Sequence, residues 1–212
     1  MKRREFSAGL LAAGTLALAP AAYAQRRIEN GKDYRTLGQR APVDAPAGKI
    51  EVVEFFWYSC PHCNTFEPAL EAWSRKLPAD VVLRRVPVAF RDDFVPQQRL
   101  FYALEALGRM DLHAKVFQAV HVERQPTNRE DSILAWAQKN GLDRAKFQEA
   151  YASFSVQSKA KRAAQLQDAY QVQGVPSLGV AGRFYTDGEL AGNMNRALEI
   201  VDFLVAEARK TR

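Results

Sequence analysis

Ile50-Glu51-Val52-Val53-Glu54-Phe55-Phe56-Trp57-Tyr58-Ser59-Cys60-Pro61-His62-Cys63 is the stretch that decides the fold of this chain. Its first nine residues form a nearly continuous apolar and aromatic run, which predicts a buried strand of a mixed sheet over 50–57. Downstream, Phe66, Leu70, Trp73 and Leu77 recur at spacings of four, three and four. Such spacing lines up one apolar face of a helix running from residue 60 to about 76. The cysteines therefore fall at a strand-to-helix junction. Pro61 suits the first helical position, where a missing N–H costs nothing. Cys60 then stands at the helix N-terminus, where unpaired N–H groups and the helix dipole favour a thiolate. Cys63 lies one turn further in and less exposed. This asymmetry assigns Cys60 as the attacking nucleophile and Cys63 as the thiol that resolves the mixed disulfide.

These are the only two cysteines of 212 residues. A bridge closing four residues would stabilise the fold by about 2 kcal/mol, against about 3 for a 15-residue loop. A chain with 47% hydrophobic residues builds its own core and hardly needs that, so the pair is read as chemistry rather than as a staple. Structural zinc needs four ligands, and His62, His113 and His121 form no second paired motif. Covalent haem needs a histidine after the second cysteine, and residue 64 is Asn. A two-thiolate metal-transfer protein stays open as an alternative, because soft thiolates select copper(I). Thiol–disulfide exchange is the leading reading.

His62 is read either as a structural histidine or as a cation or donor that lowers the Cys60 pKa. The tuning role is preferred. Stabilising the thiolate stabilises the reduced protein. One pKa unit, about 1.4 kcal/mol, corresponds to about 30 mV in a two-electron couple. An acidic Cys60 thus predicts an oxidising disulfide. Glu54 shares the strand face of Val52 and Phe56. It is either a solvent-facing acid, or a buried one with a raised pKa that relays the proton of Cys63.

The N-terminus is read as export machinery. Lys2, Arg3 and Arg4 precede an apolar stretch from 6 to 18, and Ala22-Tyr23-Ala24 follows Pro20. A basic start, a short apolar core and an Ala-x-Ala site predict a signal peptide over 1–24, cleaved after Ala24. Gly9, Gly14, Thr15 and Pro20 interrupt the stretch, which argues against a spanning anchor of roughly 20 apolar residues. Arg3-Arg4 leaves the general and twin-arginine export routes both open; either leads to a bacterial periplasm. The full chain carries a net charge of +6. Its positive residues are scattered, without the basic tract or aromatic-basic stripe of a nucleic-acid binder.

Glu54-Phe55-Phe56-x-x-x-Cys60-Pro61-His62-Cys63, together with Gly174-Val175-Pro176 far downstream, resembles the DsbA family of periplasmic thiol:disulfide oxidoreductases in the thioredoxin superfamily. Gly174-Val175-Pro176 resembles the cis-proline loop that faces the disulfide in that superfamily, and the resemblance spans essentially the whole mature chain. The family is itself a reference case of a depressed cysteine pKa and an oxidising couple. Several expectations follow from the resemblance. Val175-Pro176 would carry a cis bond, and the Val175 backbone would pair with an extended substrate segment. Glu54 would match the family's buried acid. Glu67 is matched either to a second family acid or to a solvated helix charge, and Arg85 falls near a basic partner of the buried acid.

The fold class expected is α/β, a thioredoxin-like mixed sheet with an inserted helical domain. Its divisions are 25–94 and 164–212 for the thioredoxin-like parts and 95–163 for the insertion. Strands are expected at 34–37, 50–57, 81–88, 177–180 and 183–185, the last two flanking an Ala181-Gly182 hairpin turn. Phe147, Ala150, Tyr151 and Phe154 are read as one buried stripe in the insertion, followed by a long helix to about 170. The activity expected is donation of the Cys60–Cys63 disulfide to exported proteins bearing cysteine thiols. The protein is expected to be a monomer without organic cofactor or metal, reoxidised by a DsbB-type membrane partner. A periplasmic isomerase or reductase with the same chemistry is the alternative enzyme, and a non-catalytic chaperone a further one.

Overall fold

The structure, a computed structural model, describes residues 27–211. The expected leader over 1–24 lies outside them. Strand β1 is Arg35–Thr36, β2 is Ile50–Phe56 and β3 is Val81–Pro87. Strands β4, Ser177–Val180, and β5, Phe184–Asp187, complete a five-stranded sheet in the order β1-β5-β4-β2-β3. β2 and β3 run parallel, and every other pairing is antiparallel. This is the mixed sheet expected. β2 is buried along its whole length because both sheet faces are covered, which is why its sequence reads as a continuous run rather than an alternation.

Helix α1, Pro61–Ser74, links β2 to β3, and α8, Met194–Arg209, lies beside it on one face. Ile50, Val52, Leu178 and Val180 of the sheet meet Phe66, Leu70, Leu198 and Val201 there. Val53, Phe55, Val86 and Tyr185 belong to a second core shared with the helices between 95 and 169. Those are α2, Val95–Ala106; α3, His113–His121; α4, Glu130–Lys139; α5, Arg144–Ala152; and α6, Phe154–Ala169. A four-residue α7, Gly188–Ala191, precedes α8. Among the described residues no helix is long and apolar enough to cross a membrane.

Two details lock the helices to the sheet. The Tyr170 ring at the end of α6 occupies the space a Cβ on Gly179 of β4 would need, so this strand position admits only glycine. The Tyr170 hydroxyl accepts a hydrogen bond from the Gly182 N–H at 3.0 Å. Ala181 and Gly182 both have positive φ, 55° and 67°, as a two-residue type I′ hairpin requires.

Phe154 is a correction. It is 85% exposed rather than part of the stripe that buries Phe147 and Tyr151. Ser153 is extended (φ −64°, ψ 149°), and its Oγ accepts from the Val156 N–H at 3.2 Å. A serine cap of this kind ends one helix and starts another, resetting the register so that Val156, Ala160, Ala163 and Leu166 face inward. The same stripe carries α6 straight across residues 163 and 164, where the expected division of the chain fell.

Candidate active site

Pro61 occupies the first turn of α1, and Cys60 is its N-cap. The Cys60 sulfur accepts from the Cys63 N–H at 3.4 Å; as a thiol it donates to the Val175 carbonyl at 3.3 Å. Both cysteines are free, so the structure is that of the dithiol. Their environments drive them apart. The Cys60 pKa is lowered to about 6, first by the hydrogen bond from the Cys63 thiol. The Cys63 and His62 backbone amides lower it further, and the His62 charge adds a smaller share, against the opposing effect of burial. Cys63 is completely buried. Burial pushes its pKa far up, and donation to Cys60, the Cys60 charge and the Glu54 carboxyl push the same way. The result is one acidic thiol at the helix end and one protonated thiol fully buried beneath it.

The Val175-Pro176 bond is cis, and these residues stand across from Cys60. Together with exposed His62 they line a groove of about 970 Å³ whose other walls include Arg35, Tyr185, Leu190 and Met194. The groove residues beyond the two motifs were invisible in the sequence. They meet only because β1 lies beside β5 and β5 beside β4.

Glu54 is 1% exposed, which removes the solvent-facing reading. Its register partner on β3 is Arg85, whose Nε lies 3.3 Å from Glu54 Oε2. Arg85 also donates to Glu67 at 2.7 Å and to Glu71 at 3.3 Å. Burial first, then the Glu67 charge, raise the Glu54 pKa, with Arg85 opposing. Glu67 is itself buried, so the reading as a solvated helix charge does not hold. Glu67 Oε2 lies 3.6 Å from His113 Nε2, and His113 Nδ1 lies 2.8 Å from the Tyr58 hydroxyl. Neither Tyr58 nor His113 was picked out from sequence for this site. Two adjacent arginines inside an otherwise apolar β3 were the available signal that a buried acid needed a partner.

This arrangement can carry nucleophilic exchange at Cys60 while a neutral carboxyl waits near the buried sulfur of Cys63. Comparisons with known proteins give the family to which a chain of this fold and sequence is similar. Residues 51–199 match the family model described as a DSBA-like thioredoxin domain. The thiol:disulfide interchange protein DsbA of Bordetella parapertussis is 46% identical over 208 residues, 98% of this chain and 97% of that protein. The crystal structure of Pseudomonas aeruginosa DsbA superposes with a TM-score of 0.82 at 38% identity, over 87% of this chain and 96% of that one. The oxidoreductase NmDsbA1 from N. meningitidis gives 0.76 at 26% identity, covering 87% of this chain and 95% of its own.

Proposed function

The chain belongs to the DSBA-like thioredoxin family and is a thiol:disulfide oxidoreductase that acts on cysteine-bearing proteins; from that premise we propose how its residues divide the work. In the oxidised protein a substrate thiolate attacks the Cys60 sulfur. The Cys60–Cys63 bond breaks, and Cys63 leaves as a thiolate that takes the proton of Glu54. A second substrate thiolate then attacks the substrate sulfur of the mixed disulfide, and Cys60 leaves. Two electrons pass from the substrate dithiol into the cysteine pair. A low thiol pKa makes Cys60 the better leaving group in that last step. The single observation carrying this reading is the asymmetry between an acidic Cys60 at the helix end, 7% exposed, and a protonated Cys63 with no exposure at all.

Pro61 sets the first helical turn, and His62 adds positive charge beside the thiolate. The Val175 backbone and Pro176 present an edge to an extended substrate segment, whose side chains lie in the groove. The redox-active disulfide is the only redox group the reaction needs, so neither metal nor organic cofactor takes part. The basic, apolar and Ala-x-Ala segments of 1–24 support a periplasmic location. There the protein acts as a monomer on unfolded or partly folded exported chains, and a DsbB-type membrane partner reoxidises it.

The test is equilibration of residues 25–212 with glutathione buffers, read by the mass of the alkylated thiols. A potential well above that of thioredoxin, about −270 mV, supports the disulfide donor. A value near thioredoxin's overturns it in favour of an isomerase or reductase. Stoichiometric copper or zinc binding that blocks alkylation of both thiols would instead support the metal-transfer reading.

A further inference from the structure

Beneath the cysteines, charge does not balance by simple pairing. Arg85 contacts three carboxyls, Glu54, Glu67 and Glu71; Glu71 also pairs with Arg75 at 3.3 Å, which leaves the two buried acids, Glu54 and Glu67, one cation between them. Two buried carboxyls beside one cation disfavour double ionisation, and hydrogen-bond donors favour the charged form of the acid they reach. Glu67 Oε1 accepts from Arg85 at 2.7 Å. Both oxygens of Glu54 lack any hydrogen-bond partner, although Arg85 Nε approaches one of them to 3.3 Å.

Tyr58 and His113 add a second donor to the Glu67 side. The Tyr58 hydroxyl lies 2.8 Å from His113 Nδ1, and because Nε2 faces a carboxylate oxygen, the tautomer that suits both neighbours has the phenol donating to Nδ1. The remaining ring proton must then sit on Nε2. That N–H faces Glu67 Oε2 at 3.6 Å, and neither atom has a hydrogen-bond partner elsewhere. The charged and titratable groups around His113 are Tyr58 beyond β2, Glu67 and Glu71 of α1, and Arg85 of β3. The rest of its setting is the rings of Phe56, Phe101 and Phe117. His113 itself belongs to α3, in the helical insertion.

We propose that Tyr58 and His113 are positioning residues of the exchange reaction, which hold the Glu67 carboxyl beside Arg85 and through it keep the proton on Glu54. This rests on the role given to Glu54 above, and it makes the helical insertion part of the catalytic proton balance. The phenol–imidazole–carboxylate–guanidinium chain touches neither substrate nor sulfur. It acts through the acid next to Cys63.

The test is the rate at which the oxidised protein oxidises a dithiol peptide, measured from about pH 5 to about pH 9. It compares the wild type with His113→Phe, Tyr58→Phe, Glu54→Gln and the double variant His113→Phe/Glu54→Gln. The wild-type rate should fall at high pH as Glu54 loses its proton. In His113→Phe that fall should move to lower pH by about one unit, and in Tyr58→Phe by less. In the Glu54→Gln background, His113→Phe should move nothing. Tyr58→Phe removes one oxygen and keeps the ring cluster, so it carries the test if His113→Phe fails to fold. Unshifted profiles beside an altered Glu54→Gln profile overturn the inference alone, as does an equal shift in the Glu54→Gln background. A Glu54→Gln profile identical to the wild type removes the Glu54 role and the inference with it.

Discussion

Strand β2 buries two glutamates, Glu51 and Glu54, each 1% exposed and each near an arginine of β3. They lie on opposite faces of the sheet, because they are an odd number of positions apart, three, on a strand of period two. Glu51 accepts the Asp44 N–H at 3.1 Å and lies 3.6 Å from Arg84, which also pairs with Asp44 at 2.8 Å. It ties the connection before β2 to the sheet. Glu54 has no hydrogen-bond donor of its own, shares its arginine with Glu67 and Glu71, and adds to the rise in the Cys63 pKa. Burial is the leading cause of a raised pKa in both. Burial alone therefore does not make an acid catalytic. What differs is the neighbour of each carboxyl, an amide N–H that donates to Glu51 in one case and the Cys63 thiol whose pKa Glu54 helps raise in the other.

That contrast can be broken most severely at the sulfur itself. Cys60→Ser should abolish exchange, whereas Cys63→Ser should accumulate the mixed disulfide with substrate, visible by non-reducing electrophoresis. Next come the acids. Glu54→Gln should slow dithiol oxidation by about 100-fold, the low end of general acid–base effects. Glu51→Gln should leave the rate within about twofold, because its proton has no sulfur to serve. Equal losses in stopped-flow measurements of the two variants would end the distinction.

Stability sharpens the same contrast with smaller effects. An acid whose folded pKa is raised stabilises the fold fully below its unfolded value and loses that contribution as pH rises through the folded value. Glu54→Gln should therefore be more stable than the wild type above neutral pH, although it is slower. Denaturant titrations at about pH 5 and about pH 8 should show the difference only at the higher value. Cys60 runs in the opposite direction, its pKa lowered from 9.0 to about 6. The stability it lends the reduced form is complete above the unfolded value and disappears as pH falls through about 6. Denaturation of the reduced and oxidised forms across that range should show the reduced form losing its advantage toward acid.

The catalytic pair, its strand and its helix were legible because their signals are local: an apolar run, a heptad-like spacing and a proline at the right turn. Glu54 was legible only as a choice between burial and exposure, since strand periodicity cannot say what covers a face. His113 could not be read at all. It meets Tyr58 across 55 residues, a contact created by the packing of α3 on the back of α1. Phe154 was misread because aromatic spacing was followed through Ser153, whose capping side chain breaks the helix.

The sheet order has a consequence for how the chain comes together. Residues 50–87 contain β2, the cysteines, α1 and β3, and the parallel pair they form is contiguous in the chain. The other edge of β2 waits for β4, whose Ser177 pairs with Phe55. β1 waits longer still, since among the described residues its only sheet neighbour is β5. Long-range pairings of this kind form late, after the loop between them has been closed. In a growing chain both cysteines therefore emerge well before the strand that will pair beside them, on a half-built sheet with an open edge.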